Sequence, residues 1–477
     1  MTRLLLLCCM ISVLSISYGQ DSWSLQSCIK YAWDNNLTVQ QAELNTRNFE
    51  LTERQSKFQR LPTVNGSTSA GYQFGRTIDP TTNTFNNTRI GFNSFGINGS
   101  VLVFDGNRIN SQVQQSKYDL QAAKLDAENT RQTVALSVAT AYLNILLGEE
   151  QLVNAQTQRR LSEQQLERTE RLVEVGQLAP NARLDLEAQV ARNDQQIIEA
   201  QNAVDLAYLN LKQLLQFDPS QDLVLERPEI DLEDQALVRE FTVAEVYQAA
   251  LQSQATVGAA EARLESSKVA EKVAASGNLP TLSVFGNLNT NYSSVAPDFD
   301  NPNTDNAVTV ARDPIPVEIG GQELDIVLFD TEGVTFPTVS YGDQINENFG
   351  QSAGINLSVP IYNNHRNSIA KERARLNTIS AEVSARQVTD QLKTDVQTAI
   401  TGFRASRNAY QAAERSFNAA NAAFNDAQRR FDVGAINTFE YNNAVDNLDV
   451  ARREMTRAKY QLLFNLKVVE FYLGQPL

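Results

Sequence analysis

Two halves of this 477-residue chain follow one pattern. The sequence Gly-Ile-Asn-Gly-Ser-Val at 96–101 recurs as Gly-Ile-Asn-Leu-Ser-Val at 354–359, an offset of 258 residues. Upstream, Leu-Pro-Thr at 61–63 recurs at 279–281, an offset of 218 residues. Two constant offsets indicate a duplicated unit with 258 − 218 = 40 extra residues in the second copy. A duplicated chain is expected to build one pseudo-symmetric body rather than the three unrelated domains that its length would allow.

The N-terminal segment 1–19 is typical of a secretory signal peptide. Arg3 precedes an apolar run from Leu4 to Ile16, and small residues follow this run. The run is shorter than the roughly 20 apolar residues of a membrane-spanning helix. Cys28 is the one cysteine beyond this segment, so the mature chain cannot form an intrachain disulfide. A buried thiol is predicted there rather than lipid attachment.

Charge is distributed unevenly along the chain. The net charge of −15 argues against a nucleic-acid partner. Between 294 and 347, eleven acidic residues accompany one base, Arg312, which gives 1 − 11 = −10. This segment contains the extra residues of the second half. Its charge and its Pro and Asn content predict a solvated surface loop.

Apolar periodicity and turn residues divide the chain into three parts: a first repeat (20–216), a linker (217–240) and a second repeat (241–477). The predicted helical parts are an opening helix at 23–59 and long helical hairpins at 106–216 and 364–472. The proline-free first arm, from Gly106 to Val175, would be roughly 105 Å long as one helix. Such helices are stable only when they pack laterally against others.

Four strands are predicted between the helices, at about 64–76, 90–104, 281–293 and 349–362. In the second of them, Ile97 and Val101 alternate with Asn98 and Ser100. A lipid-facing barrel strand requires this alternation of apolar with small or polar residues, whereas a soluble sandwich would bury its aromatic residues as core. The Gly, Ser and Asn residues on the opposite face favour the barrel.

The residues that enzymes commonly need are sparse. One histidine, His365, and one cysteine beyond the signal segment cannot form a zinc site. The sequence contains no phosphate-binding loop and no dinucleotide-binding fingerprint. We therefore expect no catalytic, cofactor-binding or metal-binding residues and no enzymatic activity.

The order of these elements resembles the TolC-like outer-membrane efflux protein family. The residues that carry the resemblance at the start of the first repeat are Trp23, Ser24, Leu25, Cys28, Ile29, Ala32, Asn35 and Asn36. Strands, a long helix and a Val-Gly tip follow, and the same order then recurs. The resemblance implies a mostly α-helical fold with a β-barrel portion. In this fold three identical subunits each give four strands to one twelve-stranded outer-membrane barrel, and their helices form a periplasmic tunnel.

The resemblance assigns a docking role to the two Val-Gly turns, because the tips of the family's helical hairpins meet a periplasmic adaptor protein. The corresponding residues are Val175, Gly176, Gln177 and Leu178 in the first repeat and Val433, Gly434, Ala435 and Ile436 in the second. The alternative is a simple helix C-cap, for which glycine is suited. An exposed cap can serve both purposes.

The resemblance also implies acids at the narrowest point of the tunnel, six and nine residues beyond the second tip glycine. These positions are Glu440 and Asn443, so only the first keeps an acid; Asp446, on a similar face further along, is another candidate. Three carboxylates around one axis would select cations. The alternative is a set of solvated acids on a long helix. The family's tyrosine and arginine latch is not matched, since Phe431 and Ile436 occupy its positions.

The implied function is a passive exit duct in the outer membrane of a Gram-negative-type bacterium. The duct contacts outer-membrane lipid and is engaged by a periplasmic adaptor and an inner-membrane transporter of the RND or ABC class. One alternative is the outer-membrane component of type I protein secretion, which the duct sequence does not distinguish. The alternative from another class is a soluble periplasmic coiled-coil scaffold or adaptor, which would have no lipid-facing strands.

Overall fold

The computed structural model describes residues 22–78, 85–86, 89–227, 239–319 and 322–475. The predicted signal peptide and residues 228–238 of the predicted linker lie outside the described residues. The helices are, in chain order, α1 (Leu25–Asn35), α2 (Leu37–Phe58), α3 (Arg108–Glu174), α4 (Pro180–Leu215), α5 (Val243–Ser253), α6 (Ala255–Ser276), α7 (Tyr341–Glu347), α8 (Arg366–Asp432) and α9 (Thr438–Tyr472). The strands are β1 (Thr63–Gln73), β2 (Thr77–Ile78), β3 (Phe85–Asn86), β4 (Ile90–Phe104), β5 (Thr281–Ser293), β6 (Val308–Ala311), β7 (Ile315–Ile319), β8 (Gln322–Ile326), β9 (Phe329–Glu332) and β10 (Gly350–Ser358).

The duplication in the sequence recurs in the helix boundaries. α1 and α5 each contain 11 residues, and α2 and α6 each contain 22. α3 and α8 each contain 67 residues. The N-cap side chains of Ser24 and Thr242 accept equivalent hydrogen bonds, from the Ser27 N–H at 3.2 Å and the Glu245 N–H at 3.3 Å. The prediction of two repeats, each ending in a long helical hairpin, is confirmed.

The predicted opening helix at 23–59 is interrupted, which apolar periodicity did not indicate. Asn36 has an extended backbone between α1 and α2, and its buried side chain donates to the Leu214 carbonyl at 2.8 Å. Gln254 lies at the same place between α5 and α6 and donates to the Phe471 carbonyl at 3.4 Å. In each repeat one buried amide therefore separates the first two helices and binds the end of the last one.

One compact unit consists, within the described residues, of 22–53, 114–227, 239–268 and 375–475. Each repeat contributes an apolar core to it. Val138 and Ile145 lie in the first core, and Val396 and Phe403, each 258 residues further on, lie in the second. All four side chains are at most 1% exposed. Among the described residues, no helix has the length and hydropathy needed to cross a lipid bilayer.

Cys28 belongs to the first core and is fully buried. The fully buried Val246 lies 218 residues further on, in the core of the second repeat. Burial raises the pKa of the Cys28 thiol to about 12. The thiol therefore packs as a small apolar side chain, as the sequence predicted.

A second unit contains the described parts of 54–113 and 269–374. Its main sheet is antiparallel, with strand order β1-β4-β5-β10. Each of the four predicted strands has a place in this sheet, but β10 ends at Ser358 rather than at 362. Pro280 precedes Thr281 of the last residue pair, Thr281–Ser358, and Pro360 lies two residues beyond Ser358; neither proline has an N–H to extend the ladder.

The register of this sheet separates its residues into two faces, because residues directly opposite each other in an antiparallel pair point to the same side. One face, here called the apolar face, includes Val64, Phe95, Ile97, Val101, Leu282, Val284, Leu288, Ile355 and Leu357. The other, here called the polar face, includes Asn65, Ser67, Ser69, Ser94, Asn98, Ser100, Asn287, Asn291 and Ser352. The alternation predicted from the sequence therefore extends across all four strands.

The predicted acidic loop at 294–347 contains regular structure, which corrects the loop prediction. β6 pairs with β9 and β7 pairs with β8, and α7 follows them. Gln344 on α7 is 2% exposed; it accepts from the Ser293 N–H at 2.9 Å and donates to the Ser293 and Val339 carbonyls at 3.0 and 2.8 Å. The loop prediction relied on the charge of the segment, and it therefore missed the β-branched residues of the strands and the buried amide of Gln344.

Candidate functional site

The first hairpin tip connects α3 to α4 through a Schellman turn. Gly176 has a φ of +75°, in the left-handed region that favours glycine. Its N–H donates to the Val173 carbonyl at 3.0 Å, and the Gln177 N–H donates to the Leu172 carbonyl at 2.8 Å. α4 then begins at Pro180, a residue suited to the first helical position.

The second hairpin tip repeats this turn between α8 and α9. Gly434 has a φ of +72°. Its N–H donates to the Phe431 carbonyl at 3.0 Å, and the Ala435 N–H donates to the Arg430 carbonyl at 2.8 Å. Asn437 then caps α9. The two tips are therefore structural copies, and both act as helix C-caps.

Apolar side chains are exposed at both tips. Val175 is 67% exposed and Val433 is 79% exposed. A Cβ built on either tip glycine would meet no atom within 4 Å. Leu178 and Ile436 follow the turns and are half-buried. The predicted tip residues thus form two equivalent exposed surfaces with an apolar centre.

Glu440 lies in the first turn of α9 and forms two hydrogen bonds with the side chain of the N-cap residue, Asn437. The Glu440 N–H donates to Asn437 Oδ1 at 2.9 Å, and Asn437 Nδ2 donates to Glu440 Oε1 at 3.4 Å. Glu440 is exposed, and an acid in this position complements the positive end of the helix dipole. Its carboxylate is therefore held at the start of the helix and remains accessible to solvent.

The other two predicted pore residues differ in their surroundings. Asn443 is exposed. Asp446 is also exposed, and its Oδ1 accepts from Gln189 Nε2 of α4 at 3.3 Å. At about 100° per residue, six residues place Asp446 about 120° around α9 from Glu440. The expectation that these two acids lie on a similar face is therefore wrong.

Sequence reasoning missed an aromatic contact behind the second tip. The rings of Phe431 and Tyr441 stack with a centroid distance of 4.8 Å, and Phe424 lies 6.1 Å from Tyr441. These residues form a small core with Val445 that joins α8 to α9. Two aromatic residues on either side of a Val-Gly turn are the signal that would have predicted it.

The apolar face of the sheet is the second candidate surface. Ile97 is 50% exposed, Leu357 is 63% exposed and Ile355 is 71% exposed. Contiguous apolar surface of this kind marks a site that contacts another protein or a membrane.

Within the described ranges, no group of three or more His, Cys, Asp or Glu side chains is placed to hold a metal ion. His365 precedes α8 with a φ of +58°, and its ring lies 5.7 Å from the ring of Tyr362.

A protein-family model described as "Outer membrane efflux protein" matches residues 28–215 and 340–475, which is more than half of the chain. The chain belongs to this outer membrane efflux protein family. The resemblance inferred from the sequence is thereby confirmed, and the family is one of outer-membrane proteins. The gap between the two matched parts contains the linker and most of the acidic segment.

Curated relatives of this family member match over a limited stretch. The outer membrane protein TolC of Salmonella enteritidis is 28% identical over 124 residues, which is 26% of this chain and 25% of that protein. TolC of Escherichia coli K12 is 26% identical over 126 residues, which is 25% of this chain and 26% of that protein. The chain therefore aligns with about a quarter of the length of these relatives.

Solved structures match over nearly the whole chain. CusC has a TM-score of 0.75 at 16% identity and covers 95% of this chain and 92% of its own. The Campylobacter jejuni CmeC outer membrane channel has a TM-score of 0.73 at 18% identity, with 94% and 85% covered. The Vibrio cholerae outer membrane protein VceC has a TM-score of 0.73 at 14% identity, with 94% and 96% covered. These similarities show the fold.

Proposed function

We propose that this protein is an outer-membrane exit channel that passively conducts substrates from the periplasm to the outside of the cell. A periplasmic adaptor and an inner-membrane transporter of the RND or ABC class would engage it. The four-stranded sheet carries this proposal, because its apolar face is exposed and its reverse side carries mostly small and polar residues. In an outer membrane such a sheet places the apolar face against acyl chains and the polar face against water.

The open edges of the sheet support assembly from several copies. β1 and β10 are edge strands, and an unpaired strand edge is not tolerated in lipid. Four strands are fewer than the roughly eight of the smallest outer-membrane barrels. Two copies would supply eight strands and three would supply twelve. We propose the homotrimer, which the family resemblance favours.

Adaptor docking is proposed for the two hairpin tips. Val175 and Val433 give each tip an exposed apolar centre, and the turns have the same hydrogen bonds, so one adaptor surface would fit both. Tryptophan at Gly176 or Gly434 should weaken crosslinking to the adaptor, because a bulky ring would cover this centre. Normal crosslinking in both variants would argue against docking at the tips.

A pore acid is proposed at Glu440. It is exposed and fixed at the start of α9 by Asn437, whereas Asp446 is directed toward Gln189 of its own chain. Three Glu440 carboxylates near one axis would attract cations and oppose anions. The conducting path itself would make and break no bonds.

The test of the channel proposal uses two neighbouring residues of β10 that lie on opposite faces. Ile355 belongs to the apolar face, and Asn356 lies on the reverse side. Lysine on the lipid-facing side of a barrel costs about 2–4 kcal/mol at the bilayer midplane. I355K should therefore reduce the yield of detergent-extracted trimers and of conducting events in planar bilayers, while N356K should retain both.

Electron microscopy of the detergent-purified protein completes this test. A threefold particle that conducts ions after reconstitution is the expected result. A monomer that is released without detergent and does not conduct would overturn the proposal and favour a periplasmic scaffold.

A further inference from the structure

A row of polar side chains on α3 is buried in the helical unit. Gln158, Ser162, Gln165 and Thr169 are spaced three or four residues apart, so they share one side of the helix. Each is at most 9% exposed. Asn193 Nδ2 of α4 donates to Ser162 Oγ at 2.8 Å. Because buried polar groups are nearly always hydrogen-bonded, the other members of the row need partners as well.

Two of these side chains carry unused donors that line one cavity. Gln158 Nε2 and Gln165 Nε2 have no hydrogen-bond partner among the described residues. Both residues line a cavity of about 10 Å³ whose walls also include Tyr441 and Asp446 of α9 and Gln189 of α4. A cavity of this size holds about one water molecule.

The second repeat shows that the long helix does not require this polar row. The equivalent positions of α8, 258 residues further on, are Ser416, Ala420, Ala423 and Ala427. α8 nevertheless has the same length as α3. The buried amides are therefore a feature of the first repeat alone, and their place in the packing needs its own explanation.

We propose that this cavity is a hydration site. Ordered water in it accepts hydrogen bonds from the buried amides of Gln158 and Gln165 and donates to the carboxylate of Asp446. A buried water typically makes about three hydrogen bonds to groups that would otherwise be unsatisfied, and these walls supply both donors and an acceptor.

Size and charge select water over an ion. Chloride could accept from the amides, but it is larger than water and would lie beside the Asp446 carboxylate, which repels it. A metal cation would meet the amide N–H groups, which are donors and not ligands. Water alone fits both the donors and the volume.

Hydration at this point makes the packing of α3 against α4 and α9 locally weak. Water-mediated hydrogen bonds exchange partners, whereas the apolar cores of the unit exclude water. We therefore expect α3 to open locally around Gln158 and Gln165 more often than at Val138 or Ile145. The inference concerns packing within one chain and does not rest on the proposed function.

The decisive experiment is a structure of the full-length protein at a resolution that shows ordered water. Density within hydrogen-bond distance of Gln158 Nε2 and Gln165 Nε2 is the expected result. A dry cavity, with both amides bonded directly to protein atoms, would overturn the proposal. This measurement uses the unaltered chain, so it gives an answer whether or not any variant folds.

Hydrogen exchange tests the consequence. Q158L/Q165L should expel the water and slow exchange of the surrounding α3 amides by about tenfold, which corresponds to 1.4 kcal/mol. The matched control is Q156L/Q164L, which changes two exposed glutamines of the same helix and should leave that exchange unchanged. Equal exchange in both variants would contradict a hydrated weak point, as would faster exchange in Q158L/Q165L.

Discussion

The Arg168 guanidinium of α3 forms an ion pair with the carboxylate of Asp432, the last residue of α8. The two residues belong to different repeats, and their side chains are 44% and 40% exposed. Asp432 lies two residues before Gly434, so the pair connects the first hairpin to the second close to a tip. This pair is therefore a direct ionic link between the two hairpins in this region.

A double-mutant cycle on this pair should give a small coupling energy. R168A, D432A and the double variant are expected to show about 0.2–1 kcal/mol of coupling in the free energy of unfolding, because both side chains are partly solvated. The coupling should fall as salt is added. Arg171, which pairs with Glu167 within α3, is the control, and R171A should not couple to D432A. A coupling energy of several kcal/mol would contradict this prediction, because it would show that solvent does not weaken the ion pair.

Alanine substitution should lower the free energy of unfolding at Gly434 and raise it at Gly402. G434A forces a Cβ into the left-handed region and should lower the free energy of unfolding by about 1–2 kcal/mol. Gly402 lies inside α8, where a Cβ would have ordinary contacts at 3.8 Å to Asn465. G402A should therefore stabilise the protein by about 0.5–1 kcal/mol, since glycine is unfavourable in a helix interior. Thermal denaturation of the two variants would measure this difference, and equal signs would refute the assignment of strain to the turn.

Glu440 should control ion selectivity, while Asp446 should not. E440Q keeps the size of the side chain but removes three charges from the proposed trimer, so the preference for cations should fall. D446N removes the same number of charges from a position that faces α4, and it serves as the matched control. Reversal potentials under a salt gradient in planar bilayers measure both. Equal reversal potentials for E440Q and the unaltered protein would exclude Glu440 as the selectivity filter.

We expect loss of the Gln344 side chain to destabilise the sheet unit more than removal of the preceding strands β6 to β9. Q344A removes three hydrogen bonds of a buried side chain and leaves the backbone groups of Ser293 and Val339 without this partner, an expected cost of about 1–3 kcal/mol. Removal of 304–334, with a short Gly-Ser turn in its place, should be tolerated. Asn303 and Thr335 pair at the neck of this segment, where the Asn303 N–H donates to the Thr335 carbonyl at 2.8 Å. Trimer yield and unfolding temperature are measured for both variants. A larger loss of either in the deletion variant than in Q344A would contradict the prediction.

The long elements of the fold could be predicted from the sequence because each has a strong local signal. The first arm predicted at Gly106–Val175 is α3, Arg108–Glu174, since no proline interrupts it and a glycine ends it. The alternation around Ile97 also predicted the two faces of the sheet. These features depend on neighbours along the chain, which the sequence shows directly.

The missed features depend on partners distant in sequence. Asn36 interrupts the first helix because its side chain reaches Leu214, 178 residues away. Arg168 and Asp432 are 264 residues apart, and no local pattern connects them. The acidic segment was interpreted from its charge, which does not reveal that the buried Gln344 bonds Ser293, 51 residues away. Buried amides and ion pairs between repeats therefore require the three-dimensional structure.

Asp449 of α9 should make stability depend on pH in a direction opposite to that of most acids. Its side chain is 9% exposed, and Arg453 donates to it at 3.0 Å. Burial raises the pKa of Asp449; Arg453 and Arg452 oppose this shift, and Asp446 adds to it. Because the pKa is higher in the folded state than in the unfolded state, the folded protein holds this proton more tightly. The stabilising contribution is therefore fully present below the unfolded pKa and is lost as the pH rises through the folded pKa.

D449N isolates this contribution, because asparagine cannot titrate. The variant and the unaltered protein should have similar stabilities at a pH below the unfolded pKa of about 3.9. At neutral pH the variant should gain stability relative to the unaltered protein, since ionised Asp449 then carries the cost of burial. Unfolding temperatures of both proteins across this pH range measure the difference. A difference that is constant with pH, or that shrinks toward neutral pH, would show that the Arg453 pair offsets the burial of the carboxylate.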